Sequence, residues 1–339
     1  MPLPVTLHLM LDATPAFCTH PLLPTGHLQT LATFLQAGPA QPERTVRHCV
    51  TLADGDQIVL HEDHPADSTD RRLAVLLVHG LAGCYRSGYM TRIAGKLNRA
   101  GYRTFRMDLR GCGAGLGLAS RPYHSGRSED VDAALRFVMS HAADHATVVL
   151  GFSLGANIVL KLLGELGDRA PEQLRLGIAI CPPIDLLTCV TNLNRFPNRL
   201  YDHYFAKKLV AQIAVNQQRR GDFPQARLDP IPQTIYAFDD LFTAPVGGFG
   251  RADAYYAACS SEQFIPKITV PTMILAAQDD PLIPFAPFER VTLPSCVRLI
   301  ASEHGGDIGF IGRSCGDPDR QWLDWRIIDW LNAVSVTRS

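Results

Sequence analysis

The chain has 339 residues, 46% apolar and 19% charged, and a mean hydropathy of +0.02, a composition too apolar for intrinsic disorder and ample for a large buried core. Length alone allows two domains of about 150 residues. Thirty-two Lys and Arg against 33 Asp and Glu leave a formal charge of -1, so no global field favours capture of nucleic acid or of an anionic membrane surface.

The N-terminal stretch is apolar, but it holds no Lys or Arg before Arg44 and is interrupted by Pro2 and Pro4, unlike a secretory leader. Thr45 to His61 reads as a hairpin around the turn signal Asp54-Gly55. Leu73 to Val78 is a continuous apolar strand, Tyr89 to Leu97 has helical spacing, and Tyr102 to Met107 is strand-like again. Ser128 to Ser140 reads as a helix, with Ser128 placed to cap it and Glu129, Asp130 and Asp132 in the first turn, where the helix dipole favours them. Thr147 to Leu150 is a buried strand, Asn157 to Leu166 a helix, and Leu174 to Cys181 another apolar strand. Such alternation, with strands apolar throughout, predicts a mostly parallel sheet covered by helices on both faces. The alternation lapses between Leu187 and Pro266, then resumes at Thr272 to Ala276, Val297 to Ala301 and a helix from about Gln321 to Val334. The expectation is one α/β domain over residues 1–339, with 187–266 inserted as a helical cap or lid.

No apolar run approaches the ~18 to 20 residues of a membrane-spanning helix, and the nine cysteines are odd in number and without a Cys-x-x-Cys pair. Neither a disulfide framework nor a zinc ribbon fits, and a cytoplasmic protein with reduced thiols is expected.

Gly151-Phe152-Ser153-Leu154-Gly155 fits Gly-x-Ser-x-Gly between a buried strand and a helix. There the serine sits in a strained turn, and flanking glycines remove side chains that would clash; Ser153 is the candidate nucleophile. A serine hydroxyl needs a histidine base oriented by a carboxylate, in the chain order Ser, acid, His. Of the two histidines beyond Ser153, His203 lies in the insertion and His304 follows the last strand, which selects His304. The acid falls in the loop Gln278-Asp279-Asp280-Pro281, where the spacing Asp-x-x-Ile-Pro favours Asp280 over its neighbour Asp279. The backbone N–H groups of Leu154 and of Leu81, in His79-Gly80-Leu81-Ala82-Gly83, are placed to hold an oxyanion, while His79 reads as a brace for that loop. The glycines of Arg110 to Gly115 lack the Gly-Lys-Ser/Thr of a phosphate loop, and the histidines lack metal-ligand spacing. Neither cofactor nor metal is expected.

Together the motifs resemble the YheT-like branch of the α/β-hydrolase superfamily, predicted serine esterases similar to abhydrolase-domain proteins. The resemblance rests on His27-Leu28-Gln29-Thr30, His79 to Gly83, Arg110 to Gly113, Gly151 to Asn157, Phe238 to Pro245 with Gly248-Phe249, Asp279 to Pro281, and His304-Gly305-Gly306 with Gly309-Phe310. It spans nearly the whole chain and implies a structural role for Asp239 and Asp240. The family pattern after the histidine usually reads His-Gly-Gly-His; here the fourth position is Asp307, which touches only an auxiliary role for a second histidine. The expected function is hydrolysis of small to medium apolar carboxylic esters through an acyl-enzyme. In the insertion, Tyr201, Tyr204, Phe205, Phe242, Phe249 and Tyr255 would shape the acyl pocket. An acyltransferase using an alcohol acceptor and a non-catalytic binding protein of the same fold are the alternatives; oligomeric state is open.

Overall fold

The computed structural model describes residues 14–36, 38, 45–65, 73–225, 228, 230–313 and 316–336. The N-terminal stretch read against a leader, and Cys315, lie outside the described residues.

Eight strands form one sheet: β1 (Val46–Thr51), β2 (Gln57–Asp63), β3 (Leu73–Val78), β4 (Arg103–Asp108), β5 (Ala146–Phe152), β6 (Leu174–Ile180), β7 (Thr272–Ala277) and β8 (Val297–Ser302). Their order is β1-β2-β4-β3-β5-β6-β7-β8. The hairpin β1–β2 and the pairing of β2 with β4 are antiparallel, and every later pairing is parallel. Every residue of β3, β5 and β7 is buried, the reason these segments read as unbroken apolar runs rather than alternating ones.

The longer helices are α1 (Gly26–Leu35), α2 (Gly88–Arg99), α3 (Ser128–His141), α4 (Leu154–Leu166), α5 (Leu186–Leu193), α6 (Arg199–Arg219), α7 (Ala252–Cys259) and α8 (Trp322–Val336). Two details differ from expectation. Helix α1 is absent from the periodicity reading. Ser128 is the first helical residue rather than the cap, which is Arg127; the Ser128 hydroxyl turns inward to donate to Glu165 and accepts from Lys161 Nζ.

From β3 the chain crosses to β4 on one side and, later, to β5 on the other, so the loops after β3 and β5 part at the carboxyl edge of the sheet. That divergence opens a crevice, the usual ligand position in such sheets. Between β6 and β7 the described chain is helical, holding α5, α6, α7 and short helical turns at 235–246 and 261–267. The segment 187–266 falls inside this excursion.

Candidate active site

Ser153 joins β5 to α4 with φ 48° and ψ -119°, a left-handed conformation that an L-residue adopts only when its surroundings impose it. Its N–H donates to the Ile180 carbonyl at 2.8 Å. Both motif glycines are required by close approach. A Cβ on Gly151 would lie 2.5 Å from the Gly155 carbonyl oxygen, and one on Gly155 would lie 2.5 Å from the carbonyl oxygens of Val78 and His79.

The loop after β3 is held by aromatic hydroxyls. Gly80 N–H donates to Tyr89 Oη at 2.9 Å and Ala82 N–H to Tyr123 Oη at 3.0 Å, while Gly83 N–H donates to the Gly80 carbonyl. His79 spans the loop, Nδ1 on the Gly80 carbonyl at 2.8 Å and Nε2 accepting from Leu109 N–H at 3.2 Å. Burial pushes its pKa down, so it stays neutral and braces. Leu81, between these anchored neighbours, lines the same cavities as Ser153. Leu154 is the first residue of α4, whose N–H has no intrahelical acceptor.

Ser153 and Leu81 line two cavities. The first, apolar cavity is walled mainly by apolar side chains, among them Leu186, Val190, Leu209, Ile213, Phe238 and Ile283. Of the six aromatics expected to shape a pocket, Phe205, Phe242 and Tyr255 line it, and Tyr201 and Phe249 do not. The second cavity, about 800 Å³, is more polar and is bounded by Tyr89, Tyr204, Phe205, Lys208, Asp307 and Ile308.

The expected pairing of Asp280 with His304 is corrected by the geometry. His304 Nδ1 meets Asp279 Oδ2 at 3.1 Å, with the His304 side chain 48% exposed, and His304 is in the wall of neither cavity. Asp279 Oδ1 also accepts from Gly306 N–H at 3.0 Å. Asp280 points the other way. It is buried, and its Oδ1 accepts from Leu282 N–H at 2.8 Å and Ile283 N–H at 3.1 Å, the Asx turn that the Asp-Pro-Leu-Ile spacing encodes.

Beside Asp280 stands Asp307, with carboxylate oxygens of the two and Cys181 Sγ within 4.8 Å of one another. Asp307 is 4% exposed. Its N–H donates to Thr30 Oγ1 at 2.9 Å, and its Oδ1 is buried without a hydrogen-bond partner. Burial raises the Asp280 pKa to about 7, assisted by the Asp279 charge and opposed by the two N–H donors. Burial and the facing Asp280 carboxyl raise Asp307 well above the ordinary carboxylate range. His124 is the one histidine among the described residues that lines the apolar cavity; its Nδ1 accepts from Gly126 N–H, and burial beside Arg127, Lys161 and Arg110 lowers its pKa to about 3.

A carboxyl raised in the folded state binds more protons there than in the unfolded chain, where Asp titrates near ~3.9. Stability therefore falls as pH rises from that value towards the folded pKa and then levels off. Asp307→Asn is accordingly expected to raise the melting temperature at pH 8 by on the order of 2 °C, with a gain that shrinks towards pH 4. Thermal denaturation across that range checks this, and a gain independent of pH would contradict it.

Residues 74–313 match the model of the alpha/beta hydrolase fold family. This chain belongs to the α/β-hydrolase family. A relative among curated proteins is YheT of Escherichia coli (strain K12), whose name gives it provisionally as an esterase, 30% identical over 85% of each chain. Another is mouse phospholipase ABHD3, 27% identical over 86% of this chain and 72% of that one. Among solved structures, the Pyrococcus furiosus esterase Pf2001 superposes with a TM-score of 0.56 at 15% identity, covering 87% of this chain and 96% of its own, a likeness of fold. The relatives of this α/β-hydrolase are thus of esterase and lipase type, and its described helices include none long and apolar enough to cross a membrane.

Reading the sequence of this α/β-hydrolase also missed Asn157 and Arg110. Asn157 ties α4 to the excursion, and Arg110 is clamped among Asp54, Asp56 and Asp130. Both sit in glycine-rich motifs of the sequence, but nothing local to them reveals distant partners.

Proposed function

We propose that the protein is a serine carboxylic-ester hydrolase: Ser153 Oγ attacks the ester carbonyl, and the N–H groups of Leu81 and Leu154 hold the resulting oxyanion. The observation that carries this reading is the strained turn at Ser153, which sets the residue in the wall of both cavities at once. The apolar cavity suits the acyl chain, and the more polar second cavity suits the alcohol portion and water.

The test is labelling by a fluorophosphonate together with turnover of p-nitrophenyl esters from two to sixteen carbons. The expected results are labelling and turnover that both disappear in Ser153→Ala, with a preference for medium chains. Labelling that survives in Ser153→Ala would remove the nucleophile assignment.

A further inference from the structure

We propose that Asp307 carries the proton between Ser153 and Asp280, standing where an imidazole stands in an ordinary triad. The proposal rests on the serine-hydrolase reading and adds its proton acceptor. In the wall of the second cavity, which holds Ser153, Asp307 is the only carboxylate among the described residues. It is fixed through its backbone on Thr30, carries one buried oxygen with no partner, and has a carboxylate oxygen within 4.8 Å of one on Asp280. The histidine that follows β8 is turned outward onto Asp279.

A neutral carboxyl resembles a neutral imidazole in one respect: it accepts a hydrogen bond at one atom and donates at another. In the acylation step, Ser153 Oγ bonds to the ester carbonyl carbon while its proton passes to one Asp307 oxygen. The proton on the other Asp307 oxygen passes to the Asp280 carboxylate, and the carbonyl π electrons settle on the oxyanion. Collapse breaks the bond to the alcohol oxygen, and the relay runs backwards to protonate the departing alkoxide. Water then attacks the acyl-enzyme by the same route, releasing the carboxylic acid and restoring Ser153 Oγ–H.

The relay needs one proton shared by two carboxyls. Activity is therefore expected to rise with pH as the pair loses its first proton and to fall once the second leaves. The other ionisable groups facing the pair are Asp279 after β7, Cys181 at the end of β6, Cys189 on α5, Tyr89 on α2, and Tyr201 on α6. Lys208, also on α6, lines the same cavity as Asp307. The two thiols and Tyr89 are held protonated by burial, which leaves the carboxyl pair as the titrating unit.

The experiment measures kcat and KM from pH 5 to 10 on the preferred p-nitrophenyl ester, for the parent, Ser153→Ala, Asp307→Asn, Asp307→His, His304→Gln and His124→Gln. Circular dichroism establishes that each variant is folded. Asp307→Asn is expected to lower kcat by about 100-fold or more with KM within about threefold. His304→Gln is expected to stay within about threefold of the parent. Asp307→His is expected to turn over with its rising limb moved to the imidazole range, near ~6.5, which a merely structural Asp307 would not produce.

The proposal is overturned by parent-like kcat in Asp307→Asn, by a loss in either histidine variant as large as that in Ser153→Ala, or by turnover that stops in EDTA and returns with a divalent cation. An inactive parent beside an active Asp307→His also overturns it, while sparing the serine site. Absence of Ser153-dependent turnover in both the parent and Asp307→His is the distinct signature that the hydrolase reading itself fails, and the relay with it.

Discussion

Replacing Arg110 with methionine is expected to destabilise the fold by about 3 to 5 kcal/mol near pH 8. The Arg110 guanidinium is 2% exposed. Its Nε and Nη2 donate to the two oxygens of Asp130 at 2.6 and 2.8 Å, and Nη1 donates to Asp54 at 2.6 Å and Asp56 at 2.7 Å. Asp130 and Asp56 are as buried as the arginine, so methionine fills the volume but strands two carboxylates away from water. Asp56 retains the N–H groups of Ser120 and Arg121; Asp130 loses its cation, and burial already raises its pKa with Arg110 present. In the variant that carboxyl protonates at a still higher pH in the folded state than in the unfolded chain. The variant's extra deficit at Asp130 therefore opens as pH passes the parent's own, already raised Asp130 pKa, and grows until the variant's carboxyl also ionises. Urea denaturation at pH 5 and pH 8 measures it. A difference under about 1 kcal/mol at pH 8 would show that the cluster contributes little beyond what packing supplies.

The second large effect is expected at Asn157, buried on α4 four residues after Ser153. Its Nδ2 donates to the carbonyls of Ser125 and Cys259, each at 3.0 Å, and its Oδ1 accepts from Ser261 N–H at 2.9 Å. Asn157→Leu is nearly the same size yet leaves three buried backbone groups unsatisfied, at about 1 to 3 kcal/mol each. A total loss of about 3 kcal/mol or more is expected. Two of those partners belong to the excursion between β6 and β7, whose side chains help wall the apolar cavity. KM should therefore rise for long-chain esters more than for acetate esters, because only the former fill that wall. Denaturation and a chain-length series test both consequences, and an equal change for all chain lengths would separate the asparagine from the cavity.

Why the strands were legible and the orientations of His304, Asp280 and Asp307 were not has a physical cause. Strands β3, β5 and β7 announce themselves because a sheet buried on both faces leaves no polar position along them. The strand-to-helix elbow was equally plain, since close approach at Gly151 and Gly155 leaves no alternative residue. Helix α1 was missed because its polarity is inverted. Gln29, Thr30 and Thr33 are buried while Leu28, Leu31, Phe34 and Leu35 are exposed, so the usual apolar stripe points outward and the buried face is a hydrogen-bonding one. The choice of His304 and Asp280 followed residue type and order along the chain. The winding of the loop after β8, with positive φ at Gly305, Gly306, Ile308 and Phe310, turns His304 outward and Asp307 inward, and sequence spacing does not reveal such a rotation.

The grip of α1 on that loop carries a temporal consequence. Thr30 Oγ1 meets Asp307 N–H across 277 positions, and Gln29 Oε1 meets Ile311 N–H across 282. Contacts this distant along the chain close late in folding, since the intervening loop must be ordered first. As the protein is synthesised, the elbow at Ser153 and the strands around it can pack while the segment that seats Asp307 has yet to emerge. The turn at Ser153 thus precedes the Asp307 segment in order of synthesis, and the grip of α1 on that segment can close only once the chain has been made through residue 311.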